Sequence, residues 1–262
     1  MARARFPILE HDPDPTALIS PRPRKGRKGA PPCVVLCFFL EVIEEVCGQE
    51  RAEEVTAFEW EHGRHPLFAL QTDHGVVGVM HPGVGAPMAA GMLEGAIVSG
   101  GSHFVACGGA GAVTPGLALG HVVVPSAAVR DEGTSYHYLE PSREVELDAA
   151  VVGELVAVLV GHDVPYQVGK TWTTDAPYRE TRSRISRRQE EGCVTVEMET
   201  AALAAVARFR QVSFGQYLYA GDDVSGEAWD HRGWNTHSSR RDLFWLAVEA
   251  ATRLGGASAR GS

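Results

Sequence analysis

Four carboxylates stand at two places in the sequence where they could carry out acid–base chemistry. They are Glu197, Glu199, Asp222 and Asp223. The first pair directly follows the β-branched run 194–196, and the second pair follows the apolar run 214–220. Carboxyl groups can accept hydrogen bonds from hydroxyls and can donate a proton to a departing group. Because several anions held close together are costly unless they bind something, we expect these residues to form the chemical centre.

The residues around the carboxylates predict a strand, a helix and a second strand. Val194 to Val196 is typical of a strand, Ala201 to Phe209 has helical apolar spacing, and 214–220 predicts a buried strand. Glu199 therefore falls at the start of the helix, where unpaired backbone N–H groups favour an anion. Helix capping alone would explain a lone Glu there about as well as a role in a site. The aspartates after the next strand favour a site, because ligands gather at the carboxyl ends of parallel strands.

The overall composition favours a single α/β domain that acts on a small molecule. The chain has 262 residues, of which 44% are hydrophobic, enough for a full core. A net charge of −9 without an aromatic-basic stripe argues against binding to nucleic acid. No signal peptide and no apolar run long enough to cross a membrane is present. We therefore expect no nucleic-acid partner and no membrane partner.

The cysteines indicate a reducing compartment. There are five, an odd number, and none belongs to a C-x-x-C pair. Most lie in apolar runs, which favours buried free thiols over a zinc site. The sequence therefore predicts a cytoplasmic protein without a metal ion.

The chain divides into three parts. Residues 1–32 are rich in proline and predict an N-terminal arm that contains a basic loop at 22–28. Residues 33–255 alternate apolar strands with helical segments and predict the catalytic domain, and 256–262 predicts a flexible tail.

The run Glu197-Met198-Glu199 resembles a motif of the nucleoside phosphorylase and nucleosidase superfamily, and the resemblance extends over most of the chain. It implies a single-domain three-layer α/β sandwich with a mixed, partly barrel-like central sheet flanked by helices. It also implies that Glu199 holds the ribose hydroxyls, Met198 packs on the sugar and Glu197 supports Glu199. An aspartate one strand later protonates the leaving purine in some branches. Counting without gaps favours Asp222 for this acid, whereas an Asp-Val pattern favours Asp223.

Further motifs carry the same resemblance and imply substrate-binding residues. The glycine run 108–112 resembles a nucleosidase segment, 173–178 resembles a base-stacking segment, and 130–137 resembles a loop of uridine phosphorylases. The residues implied are Gly108, Gly109, Thr174, Tyr178, Arg130 and His137, with His11 reaching a neighbouring subunit. For Arg130 an ion pair with Asp131 or Glu132 is an equal alternative, and a structural aromatic cluster explains His137 nearly as well. The family also implies a homo-oligomer, a dimer or a trimer of dimers.

The sequence departs from phosphorylases where those enzymes bind phosphate. Cys37 to Glu41 replaces a Gly-Asp-Pro loop, and Ala106 and Gly109 stand where an Arg and a Thr are expected. The replacement cations considered are Arg130, Arg64 and the basic loop 22–28.

Three functions therefore remain open. The first is phosphorolysis of a nucleoside to free base and sugar 1-phosphate, with inorganic phosphate as co-substrate and no cofactor. The second is hydrolysis by a nucleosidase, which uses water in place of phosphate. The third is binding of a nucleoside without catalysis.

Overall fold

The computed structural model describes residues 3–21, 29–48, 52–232 and 237–258. Within these ranges the chain forms ten strands and six α-helices. The strands are β1 (Cys33–Cys37), β2 (Ala52–Trp60), β3 (Gly63–Thr72), β4 (Gly75–Met80), β5 (His103–Ala112), β6 (Val122–Asp131), β7 (Glu144–Glu146), β8 (Tyr166–Thr174), β9 (Cys193–Glu197) and β10 (Ser213–Asp223). The helices are α1 (Leu40–Cys47), α2 (Ala86–Val98), α3 (Ala149–Gly161), α4 (Arg182–Glu190), α5 (Thr200–Arg210) and α6 (His237–Ser258).

The sheet closes on itself over half of its width. β5 pairs with β10, β10 with β6, β6 with β8, β8 with β9, and β9 returns to β5. From β5 the sheet continues as an open part in the order β1, β4, β3 and β2. Parallel and antiparallel pairs both occur, so the sheet is mixed. The predicted partly barrel-like sheet is confirmed.

Helices cover the sheet in two groups. α2 packs against α5, while α1 and α3 pack against α6. Large side chains fill the space between helices and sheet, and Phe104, Trp172, Tyr217, Tyr219 and Phe244 are fully buried. Each such side chain removes apolar surface from water and contributes about 1.5–3 kcal/mol to folding. The resulting scaffold holds the strand ends rigidly.

Two strands, β5 and β10, extend beyond their apolar runs, and both extensions shape the site. β5 continues through the glycine run to Ala112, because the glycines there pair in register with β10. A Cβ on Gly108 would lie 3.1 Å from the Phe38 ring, and one on Gly109 would lie 3.2 Å from the Tyr219 ring. The glycines are thus needed for close packing within a strand. β10 likewise continues through Asp222 and Asp223, and β2 was not predicted.

Parts of the predicted arm and of the predicted tail lie within the described residues. The arm contains a short 3-10 turn, Pro7–Leu9, and the Arg210 Nη1 atom donates to the Pro15 carbonyl at 3.2 Å. The basic loop 22–28 and residues 259–262 lie outside the described residues. α6 reaches Ser258, three residues into the segment predicted as a tail. In the part of the chain that is described, the helices are too short or too polar to cross a bilayer.

Candidate active site

A cavity of about 620 Å³ lies where β5, β9 and β10 meet. This volume is in the range typical of small-molecule sites. Seven of the residues predicted from the sequence line it: Gly108, Gly109, Tyr178, Glu197, Met198, Glu199 and Asp222. Tyr178 lies at the rim, where its side chain is almost completely exposed. The sequence motifs therefore do converge on one place.

The carboxylates converge by a route that differs from the predicted one. β9 runs antiparallel to β5, with Gly111 opposite Val196, whereas β10 runs parallel to β5. Glu197 and Asp222 therefore approach the cavity from opposite strand directions. The expectation that they lie at neighbouring ends of parallel strands is wrong. They meet because the glycine-rich half of β5 pairs with both strands.

Glu197 is held by hydrogen bonds on both carboxylate oxygens. Its Oε1 accepts from Thr173 Oγ1 at 2.6 Å, and its Oε2 accepts from the backbone N–H groups of Glu199 and Thr200 at 2.7 and 2.6 Å. The N-terminus of α5 is thus capped by Glu197, and the predicted capping alternative for Glu199 is wrong, since Glu199 makes no side-chain cap. Glu197 orients the turn that carries Met198 and Glu199.

Glu199 has acceptor capacity left for a ligand. Its Oε1 accepts from the Gly85 backbone N–H at 2.5 Å, and only 6% of the residue is exposed. Gly85 has a φ of 90°, a region that favours glycine, and this conformation aims its N–H at the carboxylate. A carboxylate has about four lone-pair sites. Glu199 can therefore accept hydrogen bonds from two neighbouring hydroxyls.

Burial governs the ionisation of this pair. Desolvation raises the pKa of both Glu197 and Glu199, and the negative charge of Glu197 raises the pKa of Glu199 further. The hydrogen-bond donors around Glu197 lower its pKa and so counteract part of the increase caused by burial. A ligand that donates hydrogen bonds to Glu199 would favour its ionised form, so binding and ionisation are coupled.

The two aspartates of β10 lie in different surroundings. Asp222 lines the cavity, and its Oδ2 accepts from the Trp229 indole N–H at 2.6 Å. Asp223 instead forms an ion pair with Arg232 and accepts from the Ser225 backbone N–H at 2.7 Å. Successive side chains on a strand point to opposite faces, which explains the separation. Asp222 is thus the aspartate placed to meet a ligand.

Two further predicted residues, near the ends of β6 and β8, lie outside the cavity. Thr174 is buried, and its Oγ1 accepts from the Ala176 backbone N–H at 3.2 Å. The Arg130 guanidinium is buried and donates to the segment that follows β6, to Ser135 Oγ at 2.8 Å and to Ser142 Oγ and the Glu140 carbonyl, each at 2.7 Å. Arg130 therefore holds the loop closed in this structure. The substrate roles of Thr174 and Arg130 remain predictions.

The predicted histidines lie near a second cavity. His137 lines a space of about 800 Å³ beside the N-terminal arm. The His11 Nδ1 atom lies 3.2 Å from Glu140 Oε1, and its Nε2 atom is buried without a partner. The expected contact of His11 with a neighbouring subunit remains a prediction.

Comparison with known proteins agrees with this geometry. The sequence profile of the Phosphorylase superfamily matches residues 32–254. The chain belongs to this superfamily. A guanosine phosphorylase of Halorubrum lacusprofundi is 30% identical over 178 residues, which cover 66% of this chain and 74% of that protein. The predicted family and the predicted reaction, cleavage of a nucleoside N-glycosidic bond by phosphate or water, are confirmed.

Solved structures show the same fold at low sequence identity. A purine nucleoside phosphorylase of Toxoplasma gondii in complex with immucillin-H superposes with a TM-score of 0.77 at 19% identity, over 91% of this chain and 97% of that one. An AMP nucleosidase of Bacteroides thetaiotaomicron superposes with a TM-score of 0.71 at 19% identity, over 87% and 90% of the chains.

The cavity is lined by a cation that the sequence analysis missed. Among the described residues that line the cavity, Arg240 of α6 is the only arginine or lysine. Its Nη1 donates to Glu41 Oε1 at 2.6 Å and its Nε donates to the Tyr219 hydroxyl at 3.1 Å. Of the cations considered from the sequence, Arg64 bonds Glu54 on the open part of the sheet. Arg240 was missed because it lies on the closing helix, far along the chain from every motif.

Glu180 is a second missed residue of the cavity. Its carboxylate lines the space near Asp222, and within the described ranges it has no hydrogen-bond partner. Burial, and secondly the charge of Asp222, raise the pKa of Glu180 to about 7. The Glu180 carboxyl therefore titrates near neutral pH, and its ionised form is a like charge close to Asp222. The sequence offered one signal for Glu180, its position in a polar run two residues after the predicted site residue Tyr178.

We expect Glu180→Gln to shift the alkaline limb of the pH dependence of kcat to lower pH. Above neutral pH the ionised Glu180 is a negative charge that opposes loss of a proton from a neighbouring acid, and the variant lacks this charge. The expected shift is about one pH unit. The control is Glu227→Gln, because Glu227 is fully exposed, pairs with Arg182 and does not line the cavity. An unchanged profile would show that the charge of Glu180 does not act on the catalytic acid.

Proposed function

We propose that this protein cleaves purine ribonucleosides by phosphorolysis, giving free base and ribose 1-phosphate. The observation that carries the proposal is a single cavity that holds Glu199 with spare acceptor capacity, Asp222 and the cation Arg240. The named activity of the Halorubrum lacusprofundi relative, a guanosine phosphorylase, supports both the purine and the phosphate.

The carboxylates supply what cleavage of an N-glycosidic bond requires. The sugar becomes oxocarbenium-like in the transition state, and an anion that accepts from the 2′- and 3′-hydroxyls stabilises it. Glu199 is placed for this role, with Met198 beside the sugar. Glu197 is a positioning residue, because its oxygens are already occupied by Thr173, Thr200 and the Glu199 N–H.

Protonation of the leaving base is assigned to Asp222. As the bond between C1′ and the base nitrogen breaks, its electron pair moves to the base, which takes a proton from the Asp222 carboxyl. The Trp229 N–H on Oδ2 fixes the orientation of this carboxyl and stabilises the carboxylate that remains. An oxygen of phosphate then forms the new bond to C1′.

Hydrolysis is the second candidate, and one observation favours it. Arg240 is already paired with Glu41, and the cavity also contains Glu180, Glu197 and Asp222, so a dianion meets several like charges. Water would meet no such repulsion.

The deciding experiment is a panel of nucleosides incubated with and without inorganic phosphate, with free base and sugar product separated by chromatography. We expect guanosine or inosine to release base in a phosphate-dependent, saturable manner with ribose 1-phosphate as the product. Equal rates in phosphate-free buffer, with free ribose as the product, would overturn phosphorolysis and establish hydrolysis.

We also propose that the protein is a homo-oligomer of the cytoplasm that acts in nucleoside salvage. On the arm, Leu18 and Ile19 are almost completely exposed, and Trp60 is exposed beside the second cavity. Exposed apolar side chains that lie together are typical of protein interfaces. The free thiols Cys33, Cys37, Cys47, Cys107 and Cys193 suit a reducing compartment.

A further inference from the structure

Arg240 lies in the cavity in surroundings that hold its guanidinium in place. The residue is 9% exposed, and the guanidinium carbon lies 5.0 Å from the centre of the Phe39 ring. The Tyr219 hydroxyl accepts from Nε at 3.1 Å, and the Tyr219 ring packs on Gly109 of β5. Arginine stacked on an aromatic ring presents a fixed fork of donors, which matches the geometry of a phosphate group.

A helix N-terminus points to the same end of the cavity. α1 begins at Leu40, directly after Phe39, and no side chain of the N-cap residue accepts from its first N–H groups. Such groups and the helix dipole favour an anion. Phe39 lines the cavity and also contacts Arg240. Two independent features, a buried guanidinium and an uncapped helix start, thus favour negative charge at one place.

The negative charge found there belongs to the chain itself. Glu41 lies in the first turn of α1, and its Oε1 accepts from Arg240 Nη1 at 2.6 Å. The Glu41 side chain is 41% exposed, so it can turn towards solvent without burying a charge. A carboxylate at this position neutralises Arg240 while no ligand is bound.

We propose that Arg240 binds the phosphate group of the reaction, and that Glu41 is a resident counterion which this group displaces. The inference rests on the proposed phosphorolysis and names the residue that replaces the absent phosphate ligands at Ala106 and Gly109. In the reaction a phosphate oxygen bonds to C1′, the bond from C1′ to the base breaks, and the base takes the electron pair and the Asp222 proton. Arg240 keeps the phosphate oxygens oriented and offsets their charge.

The test uses two variants with opposite expected effects. Arg240→Met should raise the KM for inorganic phosphate at least about tenfold, because a bidentate cation is lost, while the KM for the nucleoside stays unchanged. Glu41→Gln should lower the KM for phosphate severalfold, because Arg240 is no longer neutralised. An opposite response of the two variants cannot result from misfolding.

A neighbouring ion pair provides matched controls. Arg241 follows Arg240 on α6, and Glu45 lies one turn after Glu41 on α1. The Arg241 Nε atom lies 3.3 Å from Glu45 Oε1, and neither residue lines the cavity. Arg241→Met and Glu45→Gln should leave the KM for phosphate unchanged. If Arg241→Met changes the KM for phosphate as much as Arg240→Met does, or Glu45→Gln as much as Glu41→Gln, the effect is a property of the helix pair and the inference is overturned.

Two further measurements separate this inference from the proposed function. Calorimetric titration of the protein with inorganic phosphate reports binding without turnover. One outcome is that phosphate binds, that Arg240→Met abolishes this binding, and that the turnover rate does not depend on phosphate. This outcome would support the anion site and overturn phosphorolysis. Phosphate-dependent turnover with an unchanged KM in Arg240→Met would overturn the role of Arg240 and leave phosphorolysis standing. Absence of both binding and stimulation would overturn both.

A nucleoside 5′-monophosphate tests the other source of a phosphate group. If Arg240→Met raises the KM for the 5′-monophosphate and leaves the KM for inorganic phosphate unchanged, the group bound by Arg240 is an ester of the substrate. That outcome would overturn the assignment to the co-substrate.

Discussion

Glu199→Gln is expected to lower kcat by about a hundredfold or more while leaving the fold intact. The substitution keeps the volume of the side chain and one carbonyl oxygen that can accept from the Gly85 N–H. It removes the negative charge whose interaction with the sugar strengthens as the oxocarbenium develops. Because this interaction is stronger in the transition state than in the ground state, kcat should fall more than the KM for the nucleoside rises.

The measurement is steady-state release of free base, with Glu154→Gln as the control. Glu154 lies on α3, pairs with Arg253 and does not line the cavity. Near wild-type turnover in Glu199→Gln would show that Glu199 does not hold the ribose.

The same variant should be more stable than the wild type, increasingly so at high pH. Burial raises the pKa of Glu199, so the folded protein binds this proton more tightly than the unfolded chain does. That contribution to stability is complete below the ordinary carboxyl pKa of about 4.3 and is lost as pH rises through the raised value. Glutamine has no such loss. We therefore expect the difference in Tm between variant and wild type to be larger at about pH 9 than at about pH 5.

Much of the fold could be predicted because its strands and helices have strong local patterns. β1, β4 and β9 are short runs of apolar and β-branched residues, and the helical spacing around α5 is regular. The glycine run could not be assigned from the sequence, because glycine is typical of turns and here serves close packing inside β5. The neighbours that require it, Phe38 and Tyr219, are distant in sequence.

The site residues could be predicted where they belong to one short segment of the sequence. They could not be predicted where contacts between distant segments determine which side chains meet. Glu197 and Glu199 are two residues apart, yet the sequence placed the capping alternative on Glu199, whereas the structure gives the cap to Glu197. Thr173, which lies on another strand, donates to Glu197 and helps to hold it in that position. The same limit explains Arg240, since no spacing rule relates a residue of the last helix to the glycines of β5.

The paired aspartates of β10 should respond differently to substitution by asparagine. Asp222→Asn removes the proton donor for the leaving base, so turnover on natural purine nucleosides should fall by about a hundredfold to ten-thousandfold. On an activated nucleoside, whose base departs without protonation, the same variant should retain most of its turnover. Asp223→Asn instead weakens the contact with Arg232, which also donates to the Leu117 carbonyl at 2.6 Å.

This contact is structural, so Asp223→Asn is expected to lower the Tm and to reduce turnover on both kinds of substrate by the same small factor. The ratio of the two turnover rates separates the assignments, because loss of an acid changes the ratio and loss of a structural contact does not. If Asp222→Asn reduces both rates equally, Asp222 is not the acid. If Asp223→Asn alone changes the ratio, the proton comes from Asp223, and the loop that carries Ser225 and Arg232 must rearrange when the nucleoside binds.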